Sequence, residues 1–274
     1  MRLHRYREFK PKFLRDEIVA GKVYLWRLDD QNDPFEGRFS CDLDGSLDAI
    51  RRFLAGARGE LRSQPNAPNE KAWLFGPHLS GLVDQLRSHL AKASDQEIDR
   101  LAVRLHAGRV FAQPTTIESI RAGHERMLSR TVMACFSANE GSPVMFAHYA
   151  KHTGVCLTYE LEVRDLFQVN YQETLPHLGI LDCHPENIVR ARLCTKHVDW
   201  AYEREYRLVL YDCDVGLYRN ERLRLTEIAL GCQASDATER EIKVMVADSC
   251  FSELVIWRLR PASAGYGFER IRVR

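Results

Sequence analysis

The chain has 274 residues, 45% of them hydrophobic and 28% charged, and its 39 basic against 38 acidic residues leave a net charge of +1. That length supports one large domain or two small ones, and the near-neutral balance excludes a global field drawing the protein to nucleic acid or an anionic membrane. Basic character is local, at residues 1–15 and in the Arg-rich tail. The cysteines at 41, 135, 156, 183, 194, 213, 232 and 250 form no CxxC pair, and several sit in apolar runs, the usage of a reducing compartment. With no apolar leader at the N-terminus and no run of membrane-spanning length, the expectation is a cytoplasmic protein.

In chain order, the first 40 residues read as a strand or short helix, the strand "KVYLWRL" and a turn at "DDQNDPFEGRF", where Pro34 pushes Asp33 out of the α region. Residues 46–130 change character. Leu47, Ile50, Phe53 and Leu54 recur at helical spacing, as do Leu82, Val83, Leu86 and Leu90, then Ile98, Leu101 and Leu105, then Ile117, Ile120, Met127 and Leu128. "SDQE" at 94–97 and "TTIE" at 115–118 fit capping boxes, and residues 63–73 read as a loop. From Thr131 onward strands dominate ("TVMACFS", "GVCLTYEL", "FQVNYQ", "EYRLVLY", "IALG", "ELVIWRL", "FERIRVR"), with helices at "SPVMFAHYAKH" and near "ATEREIKVMVADS". The pattern predicts an α+β fold of mostly antiparallel mixed sheets: residues 1–45 and 131–274 form the α+β domain, with 46–130 a helical insertion packed on it.

The sequence lacks a P-loop, a GxGxxG fingerprint, a GxSxG elbow and an HExxH helix. His148 and His152, and Cys183, His184, Cys194 and His197, are loose metal-ligand material with no paired-ligand spacing, so no metal is assigned. Asn32, Asp33 and Glu36 either line a cleft or cap their own turn. Ser137 ends a strand, and His148 and Tyr149 ride a helix. In "DWAYEREYRLVLY", an extended run places Glu203, Glu205, Arg207 and Val209 on one face, so two carboxylates lie side by side and the neighbouring Arg207 can supply a cation.

Taken in order, "RYRE", "NDPFE", "CFS" followed by "VMFAHYAKHTGVCL", "KHVDWAYEREYRL" and "IALG" resemble the bacterial family catalogued as domain of unknown function 2971, with Phe146 where that family carries Trp. The layout is more distantly similar to the ADP-ribosyltransferase superfamily. That resemblance implies an ADP-ribosyltransferase-like fold and a toxin or antiviral defence effector. Such an enzyme cleaves the nicotinamide–ribose bond of NAD and transfers ADP-ribose to a nucleic-acid or protein acceptor. It further implies that Glu205 is the catalytic carboxylate, or Glu203 in its place. Tyr6 or Arg7 is then the first-strand nucleotide contact and Ser137 the middle-strand hydroxyl. Asn32, Asp33, Glu36, His148, Tyr149 and Arg207 fall among the residues around NAD, and Tyr149 or Tyr206 stacks on a flat ring. Two other readings stand beside it. In a metal-dependent nuclease or nucleic-acid-binding defence protein, Asp33, Glu36, Glu203 and Glu205 bind a divalent cation. In a noncatalytic interaction module, residues 46–130 dock a partner.

Overall fold

The computed structural model describes residues 1–42, 45–63, 89–162, 166–179, 181, 185–219, 222–251 and 253–273. In chain order the elements are β1 (Arg2–Arg7), α1 (Pro11–Ile18), β2 (Lys22–Leu25), β3 (Ser40–Asp42), α2 (Leu47–Ser63), α3 (Asp95–Ala107), α4 (Pro114–Ser129), β4 (Thr131–Ser137), α5 (Pro143–Ala150) and β5 (Val155–Leu161). There follow β6 (Leu166–Gln168), β7 (Asn170–Gln172), β8 (His177–Gly179), α6 (Pro185–Leu193), β9 (Thr195–His197), β10 (Glu205–Tyr211), β11 (Gly216–Arg219), β12 (Leu223–Leu230), α7 (Asp236–Ala247), β13 (Val255–Pro261) and β14 (Phe268–Arg272). The fold is mixed α and β around a large sheet.

That sheet has eight strands in the order β14-β13-β12-β5-β1-β4-β10-β6. Its pairing is mostly antiparallel: β1 with β4 and β5, β5 with β12, β13 with β14, and β6 with β10. β12 and β13 run parallel because α7 provides the crossover between them. Both faces of β1 are buried, so its alternation sorts side chains between two cores. Leu3 joins Phe136, Leu157, Tyr159, Leu208 and Ile228, under Leu14 and Ile18 of α1 and Ile242 and Met245 of α7. Tyr6 joins Cys156 and Leu259 beneath Met145, Phe146 and Ala150 of α5.

The α1 face also buries charge. Arg7 donates to Glu17 Oε1 at 2.6 Å, Arg5 lies 3.6 Å from the same oxygen, and the Tyr159 hydroxyl donates to Oε2 at 3.2 Å. Arg5 also lies over the Phe136 ring at 5.3 Å. Burial pushes the Glu17 carboxyl up, but the two guanidinium charges more than offset it and hold it below the usual carboxylate range.

The chain divides into two units, one comprising Met1–Gln31, Val132–Tyr171 and Lys196–Arg274, the other Asn32–Thr131 and Gln172–Thr195. The large sheet belongs to the first. Residues 172–195, grouped with the sheet on sequence grounds, belong instead with the helices, where β8 pairs with β3 and α6 adds Ile188 and Val189 to the buried residues. In the second unit Ala49, Ile50 and Leu54 of α2 pack with Ile98 and Ala102 of α3 and with Phe111, following the predicted helical spacing.

The expected capping box of α3 forms: Glu97 N donates to Ser94 Oγ at 3.3 Å, and Ser94 N to Glu97 Oε2 at 2.8 Å. The box start expected at Thr115 falls inside the helix, because α4 begins at Pro114, whose fixed φ and missing N–H suit the first helical position. "FQVNYQ" splits into β6 and β7, with Val169 N bonded to Glu205 O at 2.9 Å between them. The loop expected at 63–73 and the periodic residues Leu82, Val83 and Leu86 lie outside the described residues but for Ser63, which ends α2. Among the described residues no helix is long and apolar enough to cross a membrane.

Glu17 is the carboxylate counterion that both guanidinium groups share. Replacing Glu17 by Gln strands Arg5 as a buried charge, and the expected loss at pH 7 is about 3–5 kcal/mol of unfolding free energy, measured by urea denaturation. Because the folded-state carboxyl is depressed, its contribution is present above the unfolded value of about 4.3 and is lost as pH falls through the folded value, so the gap between wild type and Glu17→Gln narrows in acid. A gap under 1 kcal/mol at pH 7 contradicts the assigned role.

Candidate functional site

The strands carrying Tyr6, Ser137 and Glu205 are neighbours, in the order β1-β4-β10. Glu203 is not on β10. Residues Val198–Glu203 form a 3₁₀ turn, and Arg204 then takes a left-handed backbone at φ 45° before the strand begins at Glu205. The side-by-side placement expected from an extended run is therefore replaced by a different contact. Lys196 of β9 reaches between the carboxylates, with Nζ 2.7 Å from Glu203 Oε2 and 2.8 Å from Glu205 Oε2.

All four charged groups are buried: Glu203 is 3% exposed, Glu205 4%, Lys196 7% and Arg207 0%. Among the described residues two cations stand against two carboxylates, the kind of balance under which such burial is tolerated. The two acids differ in environment. Arg207 grips Glu205 through Nε to Oε1 at 2.8 Å and Nη2 to Oε2 at 3.1 Å, and the Glu205 amide donates to the Tyr171 hydroxyl at 2.8 Å. Burial pushes the Glu205 carboxyl up, but the Arg207 and Lys196 charges reverse this and hold it well below the usual range. Glu203 lacks the Arg207 contact. Burial, then the Glu205 charge, raise its carboxyl, with Lys196 and the hydroxyl of Tyr149, which donates to Oε1, opposing. Tyr171 is itself pushed up to about 12 by burial.

Aromatic side chains lie around Glu203. Lys196 Nζ sits 5.2 Å from the centre of the Trp200 ring, a cation–π contact. Trp200 is 6.1 Å from Tyr202, and the Tyr202 hydroxyl is hydrogen-bonded to His148 Nδ1 at 2.7 Å. Tyr149, Trp200 and Tyr202 are half-buried and His148 is exposed. The arrangement therefore offers a carboxylate beneath partly accessible rings.

Of the residues expected around a nucleotide, Tyr6, Ser137, His148, Tyr149 and Arg207 do lie on this face with Glu203 and Glu205. Tyr6 and Ser137 hold backbone there. The Ser137 hydroxyl donates to the Glu203 carbonyl and accepts from Asn139 N at 2.9 Å. The Tyr6 hydroxyl donates to the Asn139 carbonyl and accepts from Ser142 N at 3.1 Å. Arg207 is committed to Glu205.

Arg7 is a correction: by strand alternation it points to the other face of the sheet, where Glu17 takes it. Asn32, Asp33 and Glu36 lie in the second unit, and Asp33 Oδ1 accepts from Phe35 N at 2.9 Å, capping its own turn. Of the loose metal-ligand residues, Cys183 and His184 fall outside the described residues. Sequence reasoning passed over Lys196, Tyr171, Trp200 and Tyr202, although three of them stand in the stretch "KHVDWAYEREYRL". A lone Lys ahead of two glutamates was the available signal.

No protein-family model matches the chain, and neither a curated protein nor a solved structure matches it.

Lys196→Met leaves two buried carboxylates facing each other, with an expected cost of about 3–5 kcal/mol at pH 7 in chemical denaturation. Without the ammonium group Glu203 rises further, so the folded state binds a proton that the unfolded state releases, and stability recovers as pH drops from 7 to 5. Equal losses at both pH values would show that Lys196 contributes packing rather than charge.

Proposed function

We propose that the face built on Glu203 binds NAD and cleaves its nicotinamide–ribose bond, with Glu203 rather than Glu205 as the working carboxylate. The observation that carries the reading is the Lys196-bridged pair, in which one acid is pushed up and its neighbour pulled down. Paired acids driven apart in this way mark acid–base and charge-stabilising sites. Glu205 has both oxygens occupied by Arg207 and Lys196 and serves as a fixed negative charge. Glu203 Oε1 is held by the hydroxyl of half-buried Tyr149, so a ribose hydroxyl that displaces Tyr149 gains a buried acceptor.

Loss of nicotinamide leaves positive charge on the anomeric carbon, an oxocarbenium-like state. A preorganised carboxylate stabilises that state more than it stabilises the bound substrate. His148, Trp200 and Tyr202 present rings for the flat groups of the dinucleotide. Adjacent strands bearing Tyr6, Ser137 and Glu205, within a large mostly antiparallel sheet, support an ADP-ribosyltransferase-like arrangement. So does the resemblance of the ordered motifs. Transfer to a nucleic-acid or protein acceptor in the cytoplasm would be the second half of such a reaction. The buried ion pairs also favour a purely structural reading, and the same experiment separates the two.

Glu203→Gln keeps the volume and loses the charge, so nicotinamide release should fall by roughly 10²-fold or more, while NAD binding falls far less. Release is followed by chromatography with NAD and with NAD plus nucleic-acid or protein acceptors, and circular dichroism confirms folding. Wild-type protein that releases no nicotinamide under any of these conditions, or a Glu203→Gln variant that releases it at the wild-type rate, removes the proposal.

A further inference from the structure

We propose that Cys232 and His152 form a reactive thiol site that a peroxide oxidises to a sulfenic acid, independently of the NAD reading. Cys232 Sγ lies 3.9 Å from His152 Nδ1, and both residues are partly exposed. Neither residue belongs to the Glu203 set.

The pairing is built by two turns locked together. Gly231 N donates to Gly154 O at 2.8 Å and Gln233 N to His152 O at 2.9 Å. A Cβ on Gly231 would lie 2.2 Å from His152 O, and one on Gly154 2.1 Å from Arg7 O, so only glycine lets the turns close at these two positions. His152 itself has a left-handed backbone, with φ 57°. Its ring stacks on Phe146 with centroids 6.4 Å apart and meets Phe268 edge-on at 6.2 Å. Backbone and rings together hold the imidazole against the thiol. A nucleophile thus stands beside a base, with the two aromatic rings limiting where the imidazole can sit.

Four other described cysteines lie in different settings. Cys156 and Cys194 are buried in the core, and burial pushes the Cys135 and Cys156 thiols up, keeping them protonated and unreactive. Cys250 is exposed and serves as the internal reference. At Cys232 the imidazole takes the thiol proton. The thiolate attacks one oxygen of the peroxide, forming the S–O bond as the O–O bond breaks. The electron pair leaves on the other oxygen, which takes the proton back from the imidazolium to give water or an alcohol. Sulfur is oxidised to sulfenic acid and the peroxide is reduced.

The full chain is treated with hydrogen peroxide at pH 7, sulfenic acid is trapped with dimedone, and labelled peptides are quantified by mass spectrometry over time. With His152 Nδ1 placed to take its proton, Cys232 should label about tenfold faster than Cys250. His152→Asn is the informative variant, because Asn tolerates the left-handed backbone but cannot take the proton. It should bring Cys232 down to the Cys250 rate while leaving Cys250 unchanged. Cys232 labelling no faster than Cys250 in the wild type overturns the proposal, and so does a folded His152→Asn variant that keeps the fast rate. The wild-type comparison decides the matter by itself if that variant fails to fold.

Discussion

Lys196 is the group on which the candidate site depends. Its ammonium touches one carboxylate oxygen of Glu203 and one of Glu205, and without it two buried negative charges would face one guanidinium. Removing water from four charges costs several kcal/mol per ion, which their mutual attraction returns only when geometry and hydrogen bonding are nearly complete. Here they are. Arg207 takes both oxygens of Glu205, Tyr149 and Lys196 share Glu203, and the Trp200 ring lies beside the ammonium group. The consequence is geometric as much as energetic: β9, the 3₁₀ turn, β10 and α5 are tied to one another through this set.

The sheet carries a second buried ionic set on its other face, where the alternation of β1 brings Arg5 and Arg7 to Glu17. Arg5 and Arg7 point toward Glu17 on α1, while His4 and Tyr6 point the other way, where Tyr6 supports α5. His4 is hydrogen-bonded to Thr158 at 3.1 Å, and burial pushes it down to about 4, so it is a neutral core histidine at physiological pH. A strand with both faces buried can thus hold cations on one side and polar framework groups on the other without mixing their fields at contact distance.

Framework and working surface divide cleanly within the candidate site. Ser137, Tyr6 and Asn139 spend their hydrogen bonds on backbone groups at the ends of β4 and the 3₁₀ turn. Those bonds fix where Glu203 emerges. His148, Tyr149, Trp200 and Tyr202 are the partly accessible groups, and the chemistry open to the site is set by what can stack on them and reach the carboxylate beneath.

Much of the local structure was legible in the chain, because strand alternation and helical spacing are properties of neighbouring residues. The strands at Thr131–Ser137 and Val155–Leu161, the helices at Pro143–Ala150 and Asp236–Ala247, and the Ser94 cap follow from patterns only a few residues long. The glutamate pair was legible too, as were His148 and Tyr149. Other features depended on contacts between residues far apart in sequence. Alternation alone shows that Arg7 and Tyr6 diverge, but not that Glu17 waits on the side Arg7 faces. Nothing local marks Arg204 as left-handed, the step that takes Glu203 off the strand and leaves Lys196 as the bridge. The sequence by itself determined which carboxylates and rings are present and the order of the elements that bear them. Only tertiary structure decided which cation meets which carboxylate, because the energy of a buried charge depends on partners brought close by the sheet rather than by the chain.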